Sequence, residues 1–171
     1  QNGDYSHEAI DDVLSTIGSS FQEALNGMVI ANRIMSSEPG TDAEMYSYEE
    51  AEDFPVDGPS TYQTVNYSPG DSILISSTSL NSYASQYIVV NSSVPFDVTL
   101  TNISGPQDDL NIHRISEDFI GNFIIQSFSP MNVDPSGYSS NYLVVVSQGI
   151  ESNNSDFEIL INGDSEYANP P

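Results

Sequence analysis

The amino-acid sequence predicts a mostly β protein, an antiparallel β-sandwich preceded by an N-terminal amphipathic α-helical segment. Apolar residues recur at spacings of three and four up to residue 36, and they alternate with polar residues from about residue 60 onward. Clusters of turn formers separate the alternating stretches. At 171 residues the chain suits one main domain. We expect a helical segment at 1–37, an acidic linker at 38–59, the sandwich at 60–166 and a tail at 167–171.

Residues 6–36 predict a helix, with Ser6 as its N-cap. A break near Gly18 is compatible with the pattern, because glycine costs about 1 kcal/mol relative to alanine inside a helix. Two destinations are open for the apolar face, the protein's own β-domain or the same helix of a neighbouring subunit. The candidate assembly residues share a heptad-like spacing on that face: Ile10, Leu14, Ile17, Phe21, Met28 and Met35.

Residues 38–58 are acidic, and a solvated connector is the default interpretation of such a run. The interspersed Met45, Tyr46, Tyr48 and Phe54 suggest instead that the segment lies along a surface. The eight predicted strands that follow are short and have a period of two: 62–67, 72–77, 86–90, 96–102, 110–115, 122–128, 142–147 and 157–162. Their number and spacing favour an antiparallel sandwich.

Two stretches carry a family resemblance. PFDVTLTNISGPQDDLNIHRI, from Pro95, and the later NYLVVVSQGIESNNSDFEILING resemble the bacterial pre-peptidase C-terminal domain, over residues of about 95–163. The resemblance implies a jelly-roll-like sandwich that assists export, adhesion or assembly of secreted proteins, is not catalytic and in some cases binds Ca²⁺. It also implies that Asp108 and Asp109 form the family's acidic turn.

The charge balance excludes several classes of partner. The formal net charge is −23, with no lysine and with Arg33 and Arg114 as the two strong bases. Such a surface repels phosphate backbones and anionic membranes, and it attracts cations such as Ca²⁺. The chain lacks an apolar run long enough for a transmembrane segment. Its start at Gln1 and the sequons at Asn66, Asn91, Asn102 and Asn153 favour an extracellular or cell-surface glycoprotein, although a chain rich in Asn and Ser produces sequons by chance.

Catalytic residue types are scarce. The chain has no cysteine, and neither His7 nor His113 lies near a recognisable nucleophile or metal motif. Strand alternation places His113 on the solvent side. We therefore expect no enzymatic activity.

Two acidic turns are candidate calcium sites. Asn132, Asp134, Ser136 and Gly137 match the first half of an EF-hand loop, but Leu143 stands where that loop needs its glutamate. A plain hairpin turn is the alternative. Asp108 and Asp109 form the second candidate.

Two functions fit these features. A self-assembling extracellular filament or coat protein, which uses the helix or the sheet edges, explains an apolar helix beside a non-catalytic sandwich. The alternative is an accessory module that helps a secreted hydrolase adhere to a polymer. Tyr83, Tyr87, Tyr138 and Tyr142 would then offer a sugar-stacking surface, unless they merely cover a sheet edge.

Overall fold

The structure, a computed structural model, describes residues 7–53, 58–104, 109–148 and 154–163. The helices are α1 (His7–Ser15) and α2 (Phe21–Ile34), followed by two short 3-10 helices, Thr41–Tyr46 and Ala51–Asp53. The described strands are β1 (Thr61–Asn66), β2 (Ile73–Leu80), β3 (Ser85–Asn91), β4 (Phe96–Ser104), β5 (Leu110–Asp118), β6 (Phe123–Gln126), β7 (Met131–Val133), β8 (Tyr138–Ser147) and β9 (Ser155–Asn162).

The N-terminal segment forms two helices that meet at a turn. Gly18 adopts φ = 77° in that turn, a conformation that glycine reaches without a steric penalty. Ser20 then caps α2: its Oγ accepts from the Glu23 N–H at 3.2 Å, and its own N–H donates to Glu23 Oε2 at 3.1 Å. Asp11 Oδ1 accepts from the Phe21 N–H at 2.7 Å and ties α1 to this cap. The helical segment predicted for residues 6–36 is thus two helices, with the break near Gly18 that the pattern allowed, and the predicted cap Ser6 lies outside the described residues.

The strands form two sheets, which confirms a mostly β, sandwich-like architecture. The order is β1-β3-β8-β5-β6 in the five-stranded sheet and β2-β9-β4-β7 in the four-stranded sheet. Described neighbours pair antiparallel except β1 and β3, which are parallel. The fully antiparallel expectation is thus wrong at one sheet edge. Each of the eight predicted strands is present, and the three-residue β7 was missed because it lies within a run of turn formers.

Two hydrophobic cores lie on opposite faces of the five-stranded sheet. Leu143 and Val145 of β8 point into the core between the sheets, together with Phe96 and Phe157 of the other sheet. The intervening Val144 and Val146 point into a second core, under α2. Strands buried on both faces are continuously hydrophobic, which explains the sequence LVVV in β8. The sandwich therefore carries a third, helical layer.

Helix α2 packs on the protein's own sheet. Leu25, Val29, Ile30 and Ile34 are buried in the second core. The Tyr87 hydroxyl of β3 donates to the Val29 carbonyl at 2.9 Å, and the Arg33 guanidinium lies 3.7 Å from the centre of the Tyr142 ring. The apolar face of α2 therefore packs on the protein's own β-domain, which is one of the two destinations expected for it.

The segment after α2 also lies against the domain, as its aromatic residues suggested. Ala43 is completely buried in the second core. The Tyr48 hydroxyl donates to Asn32 Oδ1 of α2 at 2.8 Å, and the Phe123 N–H donates to the Pro39 carbonyl at 2.8 Å. This segment thereby forms one end wall of the space between α2 and the sheet.

The Tyr87 hydroxyl gives a test of helix docking. Tyr87→Phe removes one buried hydrogen bond without changing the ring, so we expect the free energy of unfolding to fall by about 1 kcal/mol. Urea denaturation measures this change. Tyr62→Phe, at an exposed tyrosine of β1, should leave stability unchanged. Equal stabilities for Tyr87→Phe and wild type would show that this bond does not hold α2.

Candidate functional site

His113 lies in the middle of β5, on the face covered by α2, and its side chain is only 4% exposed. The prediction that it faces solvent is wrong because β5 is a central strand with a helix on its outer face. The ring Nδ1 lies 2.8 Å from Ser127 Oγ. The other nitrogen, Nε2, is buried and has no hydrogen-bond partner among the described residues.

Two adjoining cavities meet at Asn26, His113 and Ser127, and together we call them the His113 groove. The larger cavity, about 590 Å³, extends past Met45 and Tyr46. The smaller one, about 350 Å³, extends past Leu100 and Phe128. Volumes of about 300–1,000 Å³ are typical of small-molecule sites. The groove is therefore the candidate binding site.

Strand pairing leaves room for the smaller cavity. The ladder between β5 and β6 ends at the Arg114–Gln126 pair, so residues 110–113 have no partner strand on that side within the described sheet. The chain then turns away at 127–130, where Ser129 Oγ accepts from the Leu100 N–H of the other sheet at 2.8 Å. The gap between β5 and this crossing segment is the floor of the cavity.

Polar atoms in the groove are left without partners. Asn26 Oδ1 and His113 Nε2 are both buried and unpaired within the described part of the chain. Leaving a buried polar group unsatisfied costs about 1–3 kcal/mol. Such groups call for an explanation, and a bound molecule that both donates and accepts hydrogen bonds supplies one.

The His113–Ser127 pair is suited to hydrogen bonding more than to proton abstraction. Burial lowers the pKa of His113 to about 4, so the ring is neutral near pH 7 and is a weak base. In a catalytic triad a carboxylate orients the second ring nitrogen. No described carboxylate bonds Nε2 here.

The second arginine lies on the opposite face of β5. Arg114 donates from Nε to Ser116 Oγ at 2.6 Å and from Nη2 to the Asp134 carbonyl at 2.8 Å. Asn141 Oδ1 accepts from Arg114 Nη2 at 3.3 Å and from Ser116 Oγ at 2.6 Å. Burial lowers the pKa of the guanidinium, which neutral acceptors hold in place. This network anchors the loop between β7 and β8.

Two of the predicted calcium ligands in that loop, Asn132 and Asp134, already form hydrogen bonds within the protein. Asn132 Nδ2 donates to Asp97 Oδ1 at 2.9 Å, and Asp134 Oδ1 accepts from the Ser136 N–H at 2.8 Å. The described residues contain no cluster of three His, Cys, Asp or Glu side chains placed to hold a metal. Asp109 precedes β5, and Asp108 lies outside the described residues. Calcium binding stays a prediction.

The sequons lie mainly at strand ends. Asn66 and Asn91 are exposed partners on β1 and β3, and Asn91 Nδ2 donates to Asn66 Oδ1 at 2.9 Å. Asn102 is half-buried on β4, and Asn153 lies outside the described residues. Glycosylation stays a prediction. The four tyrosines do not form the expected open surface, because Tyr87 is buried and Tyr142 lies under Arg33.

Helix α1 keeps much of its apolar surface exposed. Ile10 and Val13 are 49% and 67% exposed, whereas Leu14 is half-buried; Ile17, in the turn after α1, is 77% exposed. Of the remaining candidate assembly residues, Met28 is exposed and Phe21 and Met35 are half-buried. The six therefore do not form one continuous face.

A second exposed apolar surface lies at the hairpin between β5 and β6. Phe119 and Ile120 are 76% and 85% exposed at its tip. Asp118 Oδ1 accepts from the Ile120 and Asn122 N–H groups, both at 2.9 Å. These backbone hydrogen bonds lower the pKa of Asp118, and they hold the turn in one conformation.

Comparison with known proteins leaves the family open. No family model matches the chain, and no curated protein matches it. Among solved structures, the chain is similar to a mutant of PliG-Ec, a periplasmic inhibitor of g-type lysozyme from Escherichia coli, at 12% identity and a TM-score of 0.32. That similarity covers 58% of this chain and 98% of the inhibitor. No described helix is both long and apolar enough to cross a membrane.

Sequence reasoning missed Asn26 and Ser127, which carry no motif. Asn26 lies within a helix whose pattern indicated only its apolar face, and Ser127 lies one residue beyond β6. The run of apolar residues in β8 was the available signal for His113, because a two-sided central strand requires neighbours that are covered as well.

Burial of His113 predicts a specific loss of stability in acid. Its pKa is about 4 when folded and about 6.5 when unfolded, so the unfolded state binds the extra proton between these values. Stability is complete above about pH 6.5 and falls as the pH is lowered toward 4. We expect a loss of about 2 kcal/mol between pH 7 and 5. Urea denaturation at both values measures it.

The matched variants separate this effect from carboxylate titration. His113→Gln should remove most of the difference between the two pH values, whereas His7→Gln should retain it. The prediction is wrong if His113→Gln and wild type lose the same stability on acidification.

Calcium at the β7–β8 loop is testable by titration. If Asn132, Asp134 and Ser136 bind Ca²⁺, calorimetry should detect heat, and saturation at about 100 times the dissociation constant should add about 2.7 kcal/mol of stability. Asp134→Asn should abolish both effects. Asp71→Asn is the control, because the Asp71 carboxylate also accepts from a nearby backbone N–H, that of Ser68. No heat at millimolar Ca²⁺, with a melting temperature insensitive to chelator, would exclude the site.

Proposed function

We propose that the chain is a non-catalytic, secreted or cell-surface structural protein that assembles with copies of itself through helix α1 into an extracellular filament or coat. The exposure of Ile10 and Val13 on α1, and of Ile17 in the turn that follows α1, is the observation that carries this proposal. Ile10 and Val13 are three residues apart, so they lie on one side of α1, and Ile17 follows two residues after the last residue of that helix. Full burial of such a side chain contributes about 1.5–3 kcal/mol.

The short length of α1 supports an intermolecular role for it. A nine-residue helix is marginal by itself in water, and the element that α1 contacts most among the described residues is α2. Burial of its remaining apolar residues against a neighbour stabilises both the helix and the assembly. Within the part of the chain that the structure describes, α1 is the helix with most to gain from a partner.

A second copy supplies a matching surface at its hairpin. Phe119 and Ile120 form an apolar tip, and the Asp118 carboxylate fixes its conformation by accepting from the Ile120 N–H. This tip is a different surface from the exposed apolar residues of α1. Contact between two different surfaces repeats from copy to copy, and it produces an open filament unless the rotation closes a ring. The exposed edge strand β1 offers a further route for strand addition.

The net charge sets the conditions for assembly. Copies with a formal charge of −23 repel one another, and the Debye length falls from about 10 Å at 0.1 M salt to about 3 Å at 1 M. Association should therefore strengthen with ionic strength. The same proposal includes a saline extracellular setting. It also includes a jelly-roll-like topology and membership of the pre-peptidase C-terminal domain family.

The second candidate is an accessory module that binds a polymer. The His113 groove favours it, because the groove joins two cavities at unsatisfied polar atoms. The weak basicity of His113 favours binding over catalysis in this candidate as well.

Assembly is tested by sedimentation velocity and negative staining in about 1 M NaCl, where charge repulsion is screened. We expect wild type to associate and Val13→Asn/Ile17→Asn to remain monomeric, because amide side chains make burial of the α1 face unfavourable. Leu74→Asn/Ile103→Asn, at two exposed positions of β2 and β4, is the control and should associate like wild type. Monomeric wild type at high concentration and high salt would contradict the proposal.

A mixing experiment tests the contact between unlike surfaces. Phe119→Ser/Ile120→Ser should also prevent polymer formation. Mixed with the α1 variant, it should form heterodimers, because one chain contributes an intact hairpin and the other an intact helix. Association of the hairpin variant by itself would instead show that α1 faces pair with each other.

A further inference from the structure

We propose that the His113 groove binds a neutral, hydroxyl-rich ligand, a saccharide unit of an extracellular polymer. This inference rests on the second candidate function, and it names the ligand class and the residues that recognise it. It is independent of assembly through α1.

Hydrogen bonding indicates the ligand's polar character. Asn26 Oδ1 requires a donor, and His113 Nε2 requires a donor or an acceptor according to the direction of the bond between Nδ1 and Ser127 Oγ. A hydroxyl group serves either need, because it both donates and accepts. Vicinal hydroxyls on one sugar ring supply two such groups a short distance apart.

Charge indicates that the ligand is neutral. Among the residues that line the groove, Glu23 is the one with a formal charge near pH 7. Its Oε2 already accepts from the Ser20 N–H and Ser19 Oγ, both at 3.1 Å. The chain's charge of −23 repels anions, and Glu23 is a single carboxylate on the groove wall, whereas a metal cation requires several oxygen ligands.

The walls indicate that the ligand also has apolar faces. Tyr46 and the exposed Met45 flank the larger cavity, and Leu100 and the exposed Phe128 flank the smaller one. Sugar rings present C–H faces that pack on aromatic and apolar side chains, while their hydroxyls point outward to polar partners. Polar atoms at the centre and apolar walls at both ends therefore suit a short stretch of oligosaccharide.

An extended peptide is the main rival ligand, because residues 110–113 of β5 have no partner strand on the groove side. A peptide would pair with that backbone edge. Such pairing would leave Asn26 Oδ1 and His113 Nε2, on the helical side, without hydrogen-bond partners. Those two side chains favour the saccharide.

The experiment is a two-dimensional ¹H–¹⁵N NMR titration of the full chain in low salt, where charge repulsion keeps copies apart. The probes are cellotriose, xylotriose, maltotriose, laminaritriose and triacetylchitotriose. Each is added up to about 20 mM, a concentration that nearly saturates a site with a dissociation constant of about 1 mM. We expect at least one trisaccharide to shift the Asn26 side-chain amide and the resonances of residues 110–113 and 127–129.

Three variants make the result specific. Asn26→Ala should weaken binding about tenfold, and it retains the helix because alanine favours helical structure. Gln22→Ala, at an exposed residue of the same helix outside the groove, should bind like wild type. His113→Gln, which leaves a polar side chain in the groove, should also reduce affinity.

Three results would overturn the inference: no shift with any trisaccharide, shifts that lie outside the groove, or binding that Asn26→Ala leaves unchanged. Shifts along residues 110–113 with an unstructured peptide of alternating valine and threonine, but with no sugar, would assign the groove to peptides. Failure of the wild type to assemble would leave this outcome unaffected, because the titration observes monomers.

Discussion

Burial of both faces of the central strands β5 and β8 is the constraint on which the rest of the structure depends. One face closes the core between the sheets, and the other would expose Ile115, Val144 and Val146 to water without a third layer. Helix α2 supplies that layer. The same requirement places His113 in a dry environment beside α2, which lowers its pKa and creates the groove. The candidate site is thus a by-product of how the sheet is covered.

The two faces of β5 solve the burial of polar groups differently. On the sandwich side, Arg114 is buried with acceptors from Ser116, Asn141 and the backbone of Asp134, and a buried charge persists only with such complete hydrogen bonding. On the helical side, His113 has a partner at Nδ1 and none among the described residues at Nε2. The satisfied network stabilises the fold. The unpaired Nε2 of His113 is where a bound ligand would stabilise the protein most.

Periodicity predicted the strands and the two-sheet architecture, because alternation within a strand is a local property that burial imposes directly. It failed at features set by long-range packing. The parallel pairing of β1 with β3, the burial of His113 and the presence of Asn26 and Ser127 in one groove depend on which elements become neighbours. The break near Gly18 was allowed for on local grounds, since glycine is a poor helix former, even though the heptad-like pattern extended through it. The exposed Ile17 is where that pattern misled most, because its spacing indicated burial.

The placement of the two arginines has a consequence for resistance to proteolysis. The sequence has no lysine, so Arg33 and Arg114 are the only residues after which a trypsin-like peptidase cleaves. Arg33 lies within α2 with its guanidinium on Tyr142, and Arg114 lies in a central strand of the sheet. A peptidase needs an accessible, extended segment, which neither arginine offers until α2 detaches or the sheet opens. The depletion of bases that makes the protein acidic thus leaves two bonds for a trypsin-like peptidase, and both lie within regular secondary structure.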